Sequence, residues 1–548
     1  MSFNDPAIPV VKIVSPEIDF SARRQYVVIE APEVRTAQVF QANNPTTASV
    51  QINFNPPNSR TGMDAVVLLN VRTTLQLDAG NVPVQYNIGE TDGLRAFPIQ
   101  SCVSSETLGL NNYSVSINPN QYLHGLMAYK MSDWDVNKDC SLCPCMPDQT
   151  QIYNDPNQGS ARNVLANYGE NSYLMSRGGF IYSNVRVPAG NANALWIDVD
   201  ITEPLLVSPL SFSGRPQSLI GLTTASLFLT FANNMNRMWC RSIARQTANP
   251  VTFSVNPTGG VGFQVQIMTN FFTPSPAVPV PDVLQYPYVS LQYFQTDPQT
   301  VGQAGDLVFN MNNIQLQSIP QEIYIFARRS NEYINDPANG RNMTVSDCFA
   351  PITNINMTFD NRNGLFASCS PQQLYQISSR NGLNMSWIQF RQYMGSVIKI
   401  TPVDMGLQTG MSAGVQGAYN FFVRVNCNFP ASAVGEQYTL YAVVISEGTF
   451  SISRGLCSSQ TGILSRYDVL NAPITHSISY REASSISKKQ GGSWLNGIFN
   501  IAKKVAPFVS PVDNLFKKGD GLHVSGGSSS TSGGRAIDRS EFIANYSR

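Results

Sequence analysis

Charge is scarce in this chain. Only 13% of its residues are Asp, Glu, Lys or Arg, about half of the quarter usual for soluble domains. Histidine is scarcer: His124, His476 and His523 are the three, each isolated in sequence. No His-Glu-x-x-His, Gly-x-Ser-x-Gly or Walker pattern occurs, which removes the common signatures of zinc hydrolysis, the serine nucleophile elbow and the phosphate cradle. The glycines at Gly259, Gly260 and Gly262 precede a strand pattern rather than opening a helix, so they are no phosphate loop either. No apolar run approaches the roughly 18–20 residues that span a bilayer as a helix. The opening Met1-Ser2-Phe3-Asn4-Asp5-Pro6 has neither a basic n-region nor an apolar h-region. The expectation is a protein that is not secreted, with its nine cysteines mostly reduced.

Asn, Gln, Ser and Thr carry the polarity instead. Amides and hydroxyls can be buried without the cost of desolvating a charge, which suits extensive contact with identical neighbours. Apolar residues make up 42% of the chain, ample for burial, and 548 residues exceed what one core usually fills. Formal net charge is zero but unevenly spread. Residues 456–548 hold 11 Lys and Arg against 6 Asp and Glu, and residues 1–455 hold 25 against 30.

Two successive blocks alternate with period 2 and no long helical pattern interrupts them. Val50, Ile52 and Phe54 alternate with Gln51, Asn53 and Asn55 in the first. Ile355, Met357 and Phe359 alternate with Asn354, Asn356 and Thr358 in the second. Such strands have one dry and one polar side, and many of them in a row indicate sandwiches or barrels. The longest alternation is Phe421, Val423, Val425, Cys427 and Phe429, which predicts a central strand with these five pointing inward. The composition divides the chain into an arm over 1–34, a first barrel over 35–245, a second over 246–455 and a tail over 456–548. Short helices are expected over Gln372–Arg380 and Asn384–Tyr393, and a long polar connection over Asp133–Gly178. Connections longer than about 15 residues are uncommon unless they have a function.

Cys140-Ser141-Leu142-Cys143-Pro144-Cys145 is the one dense group of potential ligands. A closed zinc site needs four ligands, commonly from two paired clusters, and no second cluster exists. Unbound loop thiols are the expectation, with no cofactor. Distant carboxylates could still meet in space as they do in glycosidases, although acidic residues on solvated loops are the simpler reading. In the tail, Trp494, Leu495, Ile498, Ile501, Ala502 and Val505 fall on one face of a helix. Lys503 and Lys504 flank its end, Pro507 stops it, and Gly491-Gly492 precede it as a hinge. This stripe reads as a docking or membrane-interface helix, or as a helix packed beneath its own barrel. The basic balance could meet nucleic acid or an anionic surface.

Three segments resemble the major capsid proteins of small icosahedral DNA viruses, especially those of virophages and polinton-like viruses. The first is Arg95-Ala96-Phe97-Pro98-Ile99-Gln100-Ser101 with Leu108-Gly109-Leu110-Asn111-Asn112, Ser114–Asn118 and Gln121-Tyr122. The second is Leu227–Phe231 with Arg237-Met238-Trp239, similar to the close of that family's first barrel. The third is Ile319–Phe326, followed by Ile352–Phe359, Leu374-Tyr375, Asn381-Gly382 and Gly395–Ile398. The resemblance covers most of residues 35–450. It implies an all-β fold of two consecutive eight-stranded jelly rolls, a homotrimeric pseudo-hexagonal capsomer, and no enzymatic activity. It further implies a shell of neighbouring capsomers, with minor capsid or vertex proteins, around a genome or inner membrane that the tail could touch. The rival readings are a carbohydrate-binding β-sandwich protein or hydrolase, and a minor capsid or vertex protein.

Overall fold

Sixteen of the strands among the described residues build two barrels of eight in a computed structural model, and shorter strands extend their sheets. The described residues are 33–462 except 87–91, 96, 131–180, 211–217, 236, 242–250, 275–281, 331–348, 384, 389, 392–395 and 408–413. The arm up to residue 32, the Cys140–Cys145 cluster and the tail from 463 lie outside the described residues.

The first barrel comprises β1 (Glu33–Gln41), β2 (Ser49–Asn53), β3 (Leu68–Asp78), β4 (Val103–Leu110), β5 (Tyr113–Ile117), β6 (Ala194–Pro204), β7 (Ala225–Phe231) and β8 (Gln264–Pro274). Strands β1-β8-β3-β6 form one antiparallel sheet and β2-β7-β4-β5 the other. The second barrel comprises β9 (Val283–Gln295), β10 (Gly305–Ser318), β11 (Glu322–Arg329), β12 (Ile352–Phe359), β13 (Arg362–Leu365), β14 (Val397–Ile400), β15 (Gln416–Phe429) and β16 (Gln437–Ser453). Its sheets are β9-β16-β11-β14 and β10-β15-β12-β13. Every strand of the first barrel thus has a counterpart eight places on. The jelly roll occurs twice. A helix follows the fifth strand in each: α1 (Pro119–Lys130) and α2 (Pro371–Arg380). Both open on a polar residue, a proline, any residue and a glutamine, as Asn118-Pro119-Asn120-Gln121 and Ser370-Pro371-Gln372-Gln373. In α2 this opening is a capping box: Ser370 Oγ accepts from Gln373 N, and Gln373 Oε1 accepts from Ser370 N.

The period-2 reading survives in detail on β15, where Phe421, Val423, Val425, Cys427 and Phe429 are all buried while Asn420, Arg424 and Asn428 are exposed. Two boundaries need correction. The break expected at 245/246 does not separate the barrels. Thr252–Asn256 pairs with β3, and β8 pairs with both β1 and β3. Alternation reveals a strand but not its sheet, and the last strand of a jelly roll returns to lie beside the first. The passage between barrels therefore falls between Pro274 and Val283, and Trp239 is not the close of the first barrel. The tail does not begin at 456 either, because Leu456–Thr461 hydrogen-bonds along β16. Helix α1, unanticipated, follows directly on β5; α2 matches its expected range, and the second expected helix is only partly within the described residues.

Successive strands reverse direction, so connections alternate between two rims. On the upper rim the chain leaves α1 at Lys130 and returns at Ile181, and it leaves at Ser330 to return at Phe349. The lower rim has tight connections, such as Asn111-Asn112 between β4 and β5. Strand β1 begins at this rim. Gly462, at φ 65°, packs there against Ser318 and Gln416, the lower ends of β10 and β15.

Candidate functional site

The most heavily built feature is the seam between the barrels, and sequence explains why it forms. Strands β11 and β16 break alternation: Ile323 to Arg328 and Tyr438 to Ile445 are buried without interruption. A strand reads this way when both faces of its sheet are covered. Ile323, Ile325, Ala327, Leu440, Ala442 and Val444 line the second barrel's core. Tyr324, Phe326, Tyr441, Val443 and Ile445 face the other way and join the core of the first.

Helix α1 lies on that outward face near the upper rim. The Tyr129 hydroxyl donates to Val397 O at 2.5 Å, and its ring meets Tyr324 edge-on at 5.3 Å. The Tyr441 hydroxyl donates to Gln121 Oε1 at 2.8 Å. Arg328, fully buried, donates from Nη1 to Asn120 O at 2.8 Å and stacks over Tyr441. Lys399 pairs with Glu322 at 2.8 Å and sits over both Tyr129 and Tyr324. At the lower rim, the start of β9, the end of β16 and Leu456–Thr461 form a three-stranded tongue against the first barrel. The Tyr113 hydroxyl donates to that of Tyr288 at 2.8 Å, and both rings pack on Phe450. Asn111, at φ 51°, is a hub. Its Oδ1 accepts from Thr223 N and Thr224 N, and its Nδ2 donates to Gly221 O and Gly455 O. Asn112 and Cys457 exchange two further bonds. Upper rim meets upper rim and lower meets lower, so the barrels stand side by side in the same sense.

Gly125 sets the closeness of the seam. A Cβ there would lie 2.5 Å from Phe326 Cε1, and Phe326 is held between Phe349 and Tyr441. Alanine gains about 1 kcal/mol over glycine in a helix, but overpacking a core costs about 1–3 kcal/mol. Gly125→Ala is therefore expected to lower stability in urea unfolding, by about 1 kcal/mol net, and Gly125→Leu by more.

Among the described residues the buried charged side chains are Asp92, Arg95, Glu106, Asp198, Glu203, Arg237, Arg241 and Arg328. Arg241 Nη1 pairs with Asp92 Oδ1 at 2.9 Å with both side chains fully buried, and Arg241 Nη2 donates to Gln85 O at 2.6 Å. Glu203 accepts from Ile99 N at 2.7 Å and Gln100 N at 2.8 Å, tying β6 to the turn before β4. Glu106 points into the same core, near Gln100 and Tyr122. Burial pushes both carboxyls up to about 8, against the two backbone bonds at Glu203 and the Gln100 side chain at Glu106. Both are closed off from solvent, unlike a carboxylate pair flanking a sugar. The folded state thus holds protons that the unfolded chain releases above its ordinary carboxylate range near 4.3. Stability should fall as pH rises from about 4.5 to 8. Thermal unfolding across that window is expected to show the fall, and Glu106→Gln to flatten it.

Among the described residues no group of three or more His, Cys, Asp or Glu side chains could hold a metal. Cys102, Cys427 and Cys457 are buried free thiols and Cys369 is a half-buried one. The tail residues Trp494, Leu495, Ile498, Ile501, Lys503 and Lys504, singled out above, lie outside the described residues. Sequence reasoning missed the seam residues, although the unbroken apolar runs of β11 and β16 were their signal.

Two upright jelly rolls in one chain, welded along a single seam, define a double jelly-roll protein. Comparison with known proteins narrows the class. The family model described as the Sputnik virophage major capsid protein first domain matches residues 8–272. That of the major capsid protein V20 C-terminal domain matches residues 291–448. The putative capsid protein V20 of Sputnik virophage is 28% identical over 549 residues, covering 94% of this chain and 90% of that protein. The 3.5 Å cryo-EM structure of Sputnik virophage aligns with a TM-score of 0.75 at 25% identity, over 89% of this chain and 100% of the other. The crystal structure of mavirus major capsid protein aligns in fold with a TM-score of 0.62 at 17% identity, over 86% and 97%. The chain belongs to the double jelly-roll major capsid proteins of the virophage type, and it is a component of the virion capsid.

Proposed function

We propose that three copies of this chain close into a pseudo-hexagonal capsomer, and that capsomers tile an icosahedral shell around the genome. The observation that carries this is the repetition of one barrel beside itself in the same upright sense. The seam joins the edge of one barrel to the face of the next, a head-to-tail contact that generates a ring when its rotation closes. Two barrels per chain and six per ring require three chains. The low charge and amide-rich surface favour broad polar contacts between copies. Minor capsid or vertex proteins would fill positions that a six-barrel tile cannot. The work is assembly, with no catalytic step.

The lower rim, where β1 begins and the chain passes Gly462, is the side we assign to the shell interior. From there the tail can carry Lys503 and Lys504 to the genome or an inner lipid layer, and Trp494, Leu495, Ile498 and Ile501 to an apolar groove. Each such side chain contributes roughly 1.5–3 kcal/mol when buried, enough together for docking.

Sedimentation of the purified chain at micromolar concentration tests the capsomer, with three chains per particle expected; a stable monomer contradicts it. Protease treatment of free trimers and intact particles tests the tail. Slower cleavage beyond residue 462 in particles is expected, and equal rates contradict an interior tail.

A further inference from the structure

Strand β4 turns Glu106 into the core of the first barrel and gives it no donor. Its neighbours across the sheet are Ile117 on β5 and Leu229 on β7, both buried, and residues directly opposite each other share a face. Glu106 is itself fully buried. Among the described residues Glu106 Oε1, Glu106 Oε2 and Gln100 Oε1 have no hydrogen-bond partner. A carboxylate so placed is desolvated without compensation, whereas the neutral acid costs far less to bury. Glu203 differs, because the bonds from Ile99 N and Gln100 N stabilise its charge.

The first turn of α1 reaches Glu106 through Tyr122. The helix packs on the turn Gln100–Cys102 and on β4, and a charge on Glu106 bears directly on the Tyr122 phenol. The same turn of helix makes three contacts of the seam. Asn120 O accepts from Arg328, Gln121 Oε1 accepts from Tyr441, and the Tyr122 ring meets that of Tyr293 on β9 at 6.2 Å. The other titratable group facing Glu106 is Glu203 from β6, whose charge disfavours a second one beside it. Arg95 and Arg237 bear on Cys102, at the end of the Gln100–Cys102 turn.

We propose that Glu106 is a proton-operated latch on the seam: α1 closes over the neutral acid, and loss of the proton favours release of its first turn while both barrels stay folded. Burial holds the closed carboxyl up at about 8, against about 4.3 for a free one. Releasing the helix lets the acid ionise in water. Opening therefore gains as pH rises from about 4.5 to about 8, by about tenfold per pH unit, and levels off above. A shell built of this chain is tightest in acid and loosens towards mildly alkaline medium. The latch lies inside one chain and does not depend on how copies meet.

Backbone hydrogen exchange of the full-length chain at about pH 5.5 and about pH 7.5, corrected for the intrinsic change in exchange rate, tests the latch. Amides of α1 are expected to open about 100-fold more at the higher pH, and at both pH values more readily than those of β15. Glu106→Gln and Glu106→Leu are each expected to hold α1 opening constant between the two conditions, and either variant suffices alone. Glu203→Gln, which alters the carboxylate bound to the Gln100–Cys102 turn rather than the one beneath α1, is expected to keep the rise. Loss of the rise in that variant moves the role to Glu203 and overturns the assignment. A rise that survives in Glu106→Gln belongs to another group, such as His124 on α1, and overturns the latch. Amides of α1 that open only together with those of β15 also overturn it, because the pH effect is then global unfolding alone.

Discussion

Val425→Asp is expected to leave the protein insoluble. Val425 sits on β15, between Phe309 of β10 and Ile355 of β12, and is fully buried. The core cluster around it is built from hydrophobic side chains, so the carboxylate would be desolvated unpaired or forced to protonate. Either route costs several kcal/mol, a large part of the roughly 5–15 kcal/mol that holds a domain folded. The matched control is Arg424→Asp, one residue away on the exposed face, expected to change stability by only about 0.5 kcal/mol. Soluble expression and urea midpoints of the two variants check the strand and its register together. Equal behaviour would place Val425 on the wrong face.

Asp92→Ala is expected to cost about 3–5 kcal/mol, because it removes the carboxylate that neutralises the fully buried Arg241 guanidinium. The double variant Asp92→Ala with Arg241→Met should recover most of that loss, since an apolar pair of similar volume avoids both desolvation penalties. Gln85 O would then lose the Arg241 bond, so recovery should be incomplete. Urea midpoints of the three proteins give the coupling directly. Equal loss in the single and double variants would mean that the pair itself contributes net stability.

Much of the fold was legible because alternation is a local signal. Ser49–Asn53, Ile352–Phe359 and the β15 register follow from side chains two residues apart on one strand. The partition into barrels was not legible at 245/246, because β8 earns its place from β1 and β3, some 200 residues upstream. Nothing within Gln264–Pro274 says which sheet it joins. The seam was half legible. The unbroken apolar runs of β11 and β16 imply a second covered face, but only the structure names α1 as the cover. Helix α1 was hidden because its polar opening reads as a turn, and because Gly125, poor for a helix, is there for the approach of Phe326.

Negative-stain imaging of the purified full-length chain, with averaging of single particles, tests the central claim most directly. Three copies closing a ring of six barrels should appear as flat, near-hexagonal particles with six lobes and three-fold symmetry. Two-lobed monomers, or dimers with two-fold symmetry, would contradict it.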